Sequence, residues 1–412
     1  MEQSKQRIAD FAREISKNRS PDKNELGFWI FHPEVTLDYV EKFKSCLPNV
    51  NLYYAVKCNP CPYLVKFMVL NGDGFDCASL NEIKEVIKLG VDPKNISYSQ
   101  TVKTTYDLKA AYKLGVRLTL VDSIEEIEKI SKIKNEIEDM GILVRYQSND
   151  DSAQYSLGGR LGLEEDEIDD VLKLLKEKNL KMVGVHFHIG SGAHNPDAYK
   201  KGLRIARETI DKAKNLGYTP NIVDIGGGYS IEEPISDFAK VIKEGIKEYK
   251  LEDMKFIAEP GRYVAAPSFS YVTNIIGKHK KKNKDLIYYS IDEGVHGVFS
   301  NCSVLHILLN GEPLNPKNTK KIHSIIGSQT CDSHDVVSEE DIEELEIGDW
   351  IIFYFNGAYS MCAASNFNGF ESTTRPIFHL PMKKDGFIVK IPEDVEKNGI
   401  PALWGLPGGW DL

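Results

Sequence analysis

The chain has 412 residues, 42% of them hydrophobic, 10% aromatic and 27% charged. That make-up suits a globular protein of two or three domains with real apolar cores. Its 61 acidic against 51 basic residues leave a net charge of −10, which excludes a general nucleic-acid binder.

Residues 1–18, "MEQSKQRIADFAREISKN", read as an amphipathic helix with acidic residues and no apolar h-region. That is not a signal peptide, and no stretch is long enough to span a membrane. Seven cysteines at irregular spacing argue against a disulfide framework, so the expectation is a reduced, cytoplasmic protein. From about residue 50 to 265 short β-branched runs alternate with amphipathic helices. The strand candidates are "LYYAVK", "GFDCAS", "NISYSQ", "RLTLVD", "ILVRY", "MVGVHFHIGS", "NIVDIGGG" and "KFIAEPGR". Eight such units predict a (β/α)8 barrel over residues 30–265, with a doubly wound sheet as the alternative. Beyond residue 265 the helical periods vanish, and "FSYVTNIIG", "LIYYSID", "IHSIIGS", "DWIIFYF" and "GFIVKIP" predict an all-β domain. The basic run "GKHKKKNKD", 277–285, reads as a solvated hairpin tip within it. The segment through "FWIFH" packs on one of the two domains.

The ends of the barrel strands carry Lys57, Asp76, Gln100, Asp122, Arg145, His188, Asp224 and Glu259. Side chains there surround the mouth of a barrel, where its active sites lie. Lysine is seldom buried without a purpose, and desolvation favours the neutral amine that imine chemistry needs. In "DIGGGYS" the backbone of Gly226, Gly227 and Gly228 can approach a phosphate without Cβ interference. Arg262 of "AEPGRY" can clamp the same phosphate while Glu259 lies deeper, and "HFHIGSG" adds the flat ring of His188 with Ser191 and Gly192. A lysine, a phosphate cradle, a stacking ring and a carboxylate together describe a pyridoxal phosphate site.

Competing readings attach to the same residues. The CxxC of Cys58 and Cys61 suggests redox or zinc chemistry but has no second pair and reads as incidental. His186 and His188 share a strand face and, with Asp224 and His194, suggest a zinc hydrolase. That rival leaves the glycine triplet and Arg262 unexplained, and His186 alone reads as a core or supporting histidine. Gln100 and Asp122 read as caps of the helices that follow them. Cys302 and Cys362 read as packing residues in strand-like surroundings. The polar stretch 148–162, "SNDDSAQYSLGGRLG", is either a surface loop or a lid.

The stretches "YYAVKCNP", "GFDCAS", "VHFHIGSG", "DIGGGY", "AEPGRY", "QTCDSHD" and "GAYSMCAASNFNGF" resemble those of the eukaryotic ornithine decarboxylases. These are pyridoxal-phosphate decarboxylases of the alanine-racemase fold, and the motifs run in unbroken order from about residue 25 to 375. The resemblance implies a barrel followed by a β-domain of residues 1–29 and 266–412, and a head-to-tail homodimer with shared active sites. It implies that Lys57 holds the cofactor, Glu259 pairs with the pyridinium and His188 stacks on the ring. Ser191, the Gly226–Gly228 backbone, Arg262 and Tyr359 would bind the phosphate. Asp76 and Arg145 would form a charge network beside the lysine, with Glu82 a weaker member. From the neighbouring subunit, Cys331 would protonate the Cα carbanion and Asp332 would bind the substrate's distal ammonium.

The implied reaction is decarboxylation of a basic amino acid, first L-ornithine to putrescine. Lysine, arginine or diaminopimelate decarboxylation, and an inactive regulator resembling antizyme inhibitor, are the alternatives. The sequence departs from the family at its Tyr-Asp-His triplet, where Val304, Leu305 and His306 stand, and His296 replaces a usual tyrosine. One substrate carboxylate is thereby missing, and Asp332 acts alone. Arg160 stands where the family has a lysine that reaches the other subunit. The chain stops at "GLPGGWDL" without the long tail linked to rapid turnover in animal members, so a longer-lived protein is expected.

Overall fold

Eight short parallel strands close into a barrel: β2 (Val50–Ala55), β3 (Gly74–Cys77), β4 (Ile96–Tyr98), β5 (Leu118–Val121), β6 (Gly141–Gln147), β7 (Met182–His188), β8 (Ile222–Asp224) and β9 (Lys255–Ala258). The computed structural model describes residues 2–19, 26–148, 153–317, 319–372 and 375–381. Every predicted barrel strand forms, because runs such as "ILVRY" and "VHF" are buried on both faces and tolerate no polar alternation. Amphipathic helices follow them, including Leu80–Lys88, Ile168–Glu177 and Asp197–Asn215, each turning isoleucine and leucine inward with valine or alanine beside them.

The caps differ from expectation. Ser79, Thr104 and Ser123 cap the helices after β3, β4 and β5, their hydroxyls accepting the N–H groups of Glu82, Asp107 and Glu126. Gln100 and Asp122 therefore cap nothing. Gln100 accepts the Thr101 N–H, and Asp122 Oδ2 accepts the Gly162 N–H at 2.9 Å. A hydroxyl directly before the first helical residue sits closer to the orphan N–H groups than a longer side chain further upstream.

The chain divides into two compact units. One holds Val40–Lys57 and Val65–Val264; the other holds the residues up to Tyr39, Cys58–Leu64 and those from Ala265 onward. The second unit is built on an eight-stranded sheet. Its strands are β1 (Phe28–Phe31), β10 (Phe269–Lys280), β11 (Leu286–Ile291), β12 (Glu312–Pro313), β13 (Lys321–Ser328), β14 (Val336–Glu343), β15 (Trp350–Phe353) and β16 (Ile377–His379). β1 pairs antiparallel with β10, Phe28 opposite Val272 and Phe31 opposite Phe269, which settles where "FWIFH" packs. Helix Glu2–Ser16 adds Ile8, Ala9 and Ala12 to a core with Phe28, Ile30, Val272, Trp350 and Ile352. Of the run 277–285, residues 277–280 are the paired end of β10 and 281–285 form the exposed turn to β11. "GFIVKIP", 386–392, lies outside the described residues.

Cys302 is buried, but in the short helix Ser300–Leu305 rather than a strand. Cys362 lies half-buried in the turn Met361–Ala363, its Sγ 3.5 Å from the Cys58 carbonyl. Cys331 is the one exposed cysteine of the seven; Cys58, Cys61, Cys77 and Cys302 are buried.

A buried histidine in this unit gives the fold an acid weakness. His32 is fully buried, with Nδ1 3.2 Å from the Pro267 carbonyl, and burial pushes its pKa down to about 4 despite that bond. The unfolded chain then binds a proton near pH 6.5 that the folded chain refuses, so stability falls as pH drops from 6.5 toward 4. At pH 5 the cost is about 2 kcal/mol. We expect His32→Gln to lose correspondingly less stability than wild type between pH 7 and 5 in urea unfolding. Parallel losses in the two proteins would contradict this.

Candidate active site

Lys57 closes β2 in the turn Val56–Cys58, and its Nζ is ion-paired with Asp76 Oδ2. Asp76, on β3, is fully buried, and its other oxygen has no partner among the described residues. Burial, then the charge of Glu259, push its carboxyl up to about 6, against the pull of Lys57. An acid titrating that high is half-committed to its neutral form without a cation beside it. Arg145, on β6, is buried in the field of Glu259, Asp122, Asp76 and Asp224. Glu82 accepts the Ala78 N–H; burial pushes it up to about 7, and the charges of Asp76 and Lys57 reach it more weakly.

Glu259 follows β9 and is nearly fully buried. Ser99 Oγ lies 2.8 Å from its Oε1, and His186 Nε2 lies 3.2 Å from its Oε2. Burial alone would raise this carboxyl. The hydrogen bond from His186 and the charge of Lys57 outweigh it and hold Glu259 below the usual carboxylate range. Asp224, paired in register with His186 across β7 and β8, behaves oppositely: burial and the Glu259 charge push it well above that range. Two neighbouring carboxyls thus part company, one charged and one protonated.

The glycine loop after β8 lies tight against the end of β7. A Cβ on Gly226 would stand 2.3 Å from the Phe187 carbonyl, on Gly227 2.8 Å from His188 Nε2, and on Gly228 2.5 Å from Ile189 Cγ1. Gly226 and Gly228 also hold φ of 62° and 128°. The loop's carbonyls are all occupied: Gly226 O by Glu259 N, Gly227 O by the Tyr199 hydroxyl, Gly228 O by Ala193 N. The N–H groups of Gly227 and Gly228 make no hydrogen bond among the described residues. Arg262 Nε lies 3.2 Å from Ser191 Oγ. Two open N–H groups, a hydroxyl and a guanidinium form an anion seat of the kind a phosphate takes. The His188 ring lies over Gly227 and accepts the Gly190 N–H through Nδ1 at 3.0 Å. Burial, then the charges of Arg145 and Lys57, drive its pKa well down, leaving a neutral flat ring.

Part of the 148–162 stretch is stitched to this seat. Tyr155 and Ser191 exchange backbone hydrogen bonds of 3.0 and 2.9 Å, and Gln154 N donates to Gly192 O. Residues 149–152 of that stretch lie outside the described residues, and Arg160 is exposed.

Tyr359, Cys331 and Asp332 belong to the other unit. Tyr359 sits at φ 54°, its N–H donating to the Cys58 carbonyl at 2.9 Å. Cys331 is exposed, and both its N–H and its Sγ reach Asn368 Oδ1, at 3.1 and 3.3 Å. Asp332 Oδ2 lies 2.8 Å from His296 Nε2, and Oδ1 accepts the His334 N–H at 2.9 Å. These bonds pull its carboxyl down to about 2, a fixed negative charge. His296 packs against Phe367 with ring centres 4.2 Å apart and planes tilted by 33°. Leu305 ends the helix Ser300–Leu305 and His306 turns out of it at φ 51°.

The zinc reading is not assembled as expected. His194 is partly exposed beside Glu233, and His188 Nδ1 is taken by Gly190. His186, Asp224 and Glu259 do offer atoms within 4.8 Å of one another. The positive charges of Lys57 and Arg145 reach the same trio and oppose a cation there. The "CNPC" stretch is a structural turn, with Asn59 bonded to Gly357 O and Cys61 N. The sequence reading overlooked Ser99 and Asn368. The alternating "SYSQ" and the turn-forming "NG" were their only signals.

The family described as "Pyridoxal-dependent decarboxylase, pyridoxal binding domain" matches residues 37–266. A probable ornithine decarboxylase of Dictyostelium discoideum is 36% identical, over 90% of this chain and 81% of its own length. Among solved structures, the arginine decarboxylase of Paramecium bursaria Chlorella virus bound to agmatine superposes with a TM-score of 0.85 at 31% identity, covering 90% of this chain and 100% of that one. The ornithine decarboxylase of Entamoeba histolytica superposes at 0.76 with 38% identity, covering 91% and 99%.

Proposed function

The chain belongs to the pyridoxal-dependent decarboxylases, and on that premise we propose that it converts L-ornithine to putrescine and CO2. The observation that carries the reading is the pairing of Lys57 with buried Asp76 at one barrel mouth with Glu259 and the open glycine seat. Bound pyridoxal phosphate supplies the sink for the electron pair left when CO2 departs.

This chain's residues do the rest. Lys57 holds the cofactor covalently, and Asp76 and Arg145 set the charge around it. Glu259, kept ionised, would pair with the ring nitrogen, and neutral His188 would stack on the ring. Ser191, the Gly226–Gly228 backbone, Arg262 and Tyr359 hold the phosphate. From a second copy of the chain, Cys331 delivers a proton to Cα and Asp332 holds the distal ammonium. A dimer is supported by the exposure of Cys331 on a unit that also exposes Val304, Leu308 and Phe367. The ionised Asp332, fastened by His296 and His334, suits a cationic side chain and disfavours the second carboxylate of diaminopimelate. No helix among the described residues is long and apolar enough to cross a membrane, and the irregular spacing of the seven cysteines suits a reducing compartment. We place the enzyme in the cytoplasm.

The test is CO2 and amine release from ornithine, lysine, arginine and diaminopimelate with pyridoxal phosphate added. Putrescine from ornithine as the preferred reaction is expected. Preference for lysine or arginine would keep the chemistry and assign the Leu305 and His296 departures to specificity. No release from any substrate, with the cofactor bound, would favour the inactive regulator.

A further inference from the structure

Glu259 is the hinge of the site, yet it touches three other polar groups before it meets any cofactor. Ser99 reaches it from the end of β4, His186 from β7, and Asp224 stands beside it on β8. Ser99 Oγ also lies 2.9 Å from Ser97 Oγ. Its single proton serves one acceptor, and the ionised carboxylate is the stronger, so Ser97 donates to Ser99 and Ser99 to Glu259. His186 is buried, and Nδ1 has no partner among the described residues. A buried neutral imidazole against a carboxylate must put its proton on the nitrogen facing that oxygen. His186 is therefore the Nε2–H tautomer, a donor to Glu259 Oε2.

Asp224 shows why this donor matters. Its Oδ1 accepts the Gly226 N–H at 2.9 Å, while Oδ2 is buried without a partner among the described residues. Two adjacent buried carboxyls gain most by sharing one proton between them. A Glu259 so engaged would be bonded to Asp224 and lost to the ring nitrogen. His186 gives Oε2 a donor of its own at 3.2 Å, so the carboxylate does not depend on that shared proton.

Resting on the assignment of Glu259 to the cofactor's ring nitrogen, we propose that His186 is a positioning residue for Glu259. It fixes the carboxylate's orientation, gives it a donor independent of Asp224 and keeps it available to hold the ring proton. Ser99 plays the matching part on the other oxygen.

The test loads the enzyme with 15N-labelled pyridoxal phosphate and reads the ring-nitrogen shift against pH, with the cofactor dissociation constant measured by dialysis. Wild type is expected to show a protonated nitrogen through the neutral range, and Glu259→Gln an unprotonated one. His186→Leu is expected to move the signal toward the unprotonated position and weaken cofactor binding roughly tenfold. His186→Gln, whose amide also donates, should return most of the way to wild type, which a purely structural role would not require. Should the leucine variant fail to fold, His186→Asn, too short to reach Glu259, takes its place. A wild-type shift in the leucine or asparagine variant overturns the proposal, as does a glutamine variant no nearer to wild type. An unchanged ring nitrogen in Glu259→Gln would overturn the Glu259 assignment and this inference together.

Discussion

Lys57→Arg is expected to lower CO2 release by roughly 10³-fold or more while leaving the protein folded. Arginine keeps a cation beside Asp76, whose buried carboxyl already titrates near 6 with lysine in place. The guanidinium cannot shed its proton, so it offers no nucleophilic nitrogen. The substitution therefore separates the electrostatic service of Lys57 from its chemistry. Lys57→Met removes both: Asp76 should then titrate higher still, and phosphate-seat binding of the cofactor should outlast the covalent link. An arginine variant retaining a tenth of wild-type activity would remove Lys57 from the reaction.

Mixing Lys57→Ala subunits with Cys331→Ala subunits is expected to restore activity to roughly a quarter of wild type. Random pairing makes half of the dimers mixed, and each mixed dimer carries one site with both residues intact. Each parent alone should be at least about 10²-fold impaired, the scale of a lost proton donor. The exposed thiol of Cys331, held by Asn368 rather than buried in its own unit, is the feature that points across an interface. Activity no greater than the sum of the parents, with subunit exchange shown by native mass spectrometry, would mean that each site is built from one chain.

What the sequence disclosed follows from what is local. The barrel strands and their helices rest on short-range periodicity, and "YYAVK", "DIGGG" and "AEPGR" each carry a candidate site residue beside its own strand end. Lys57, Glu259 and the glycine triplet were legible for that reason. Ser99 was not, because its partner lies 160 residues away and no residue pattern announces a hydroxyl aimed at a distant carboxylate. The pairing of β1 with β10 bridges more than 200 residues, and only the sheet itself reveals it. Gln100 and Asp122 were assigned as caps from their place before a helix, yet nearer hydroxyls at Thr104 and Ser123 took that role and freed Asp122 to hold Gly162. The helix Ser300–Leu305 was mistaken for strand because six residues carry too little periodicity to decide.

The central claim is that the amine at the end of β2 is the one this barrel offers its cofactor. A second lysine makes that claim testable against a real competitor. Lys103 is buried beside Glu126, and burial lowers its pKa to about 8, toward the neutral form a carbonyl would attract. Its Nζ, however, is spent on the carbonyls of Gln100, Thr101 and Leu120. The decisive measurement is borohydride reduction of the protein loaded with pyridoxal phosphate, followed by peptide mass spectrometry. A single stoichiometric adduct on the peptide containing Lys57 is expected; an adduct on Lys103, or on no lysine, would contradict the account.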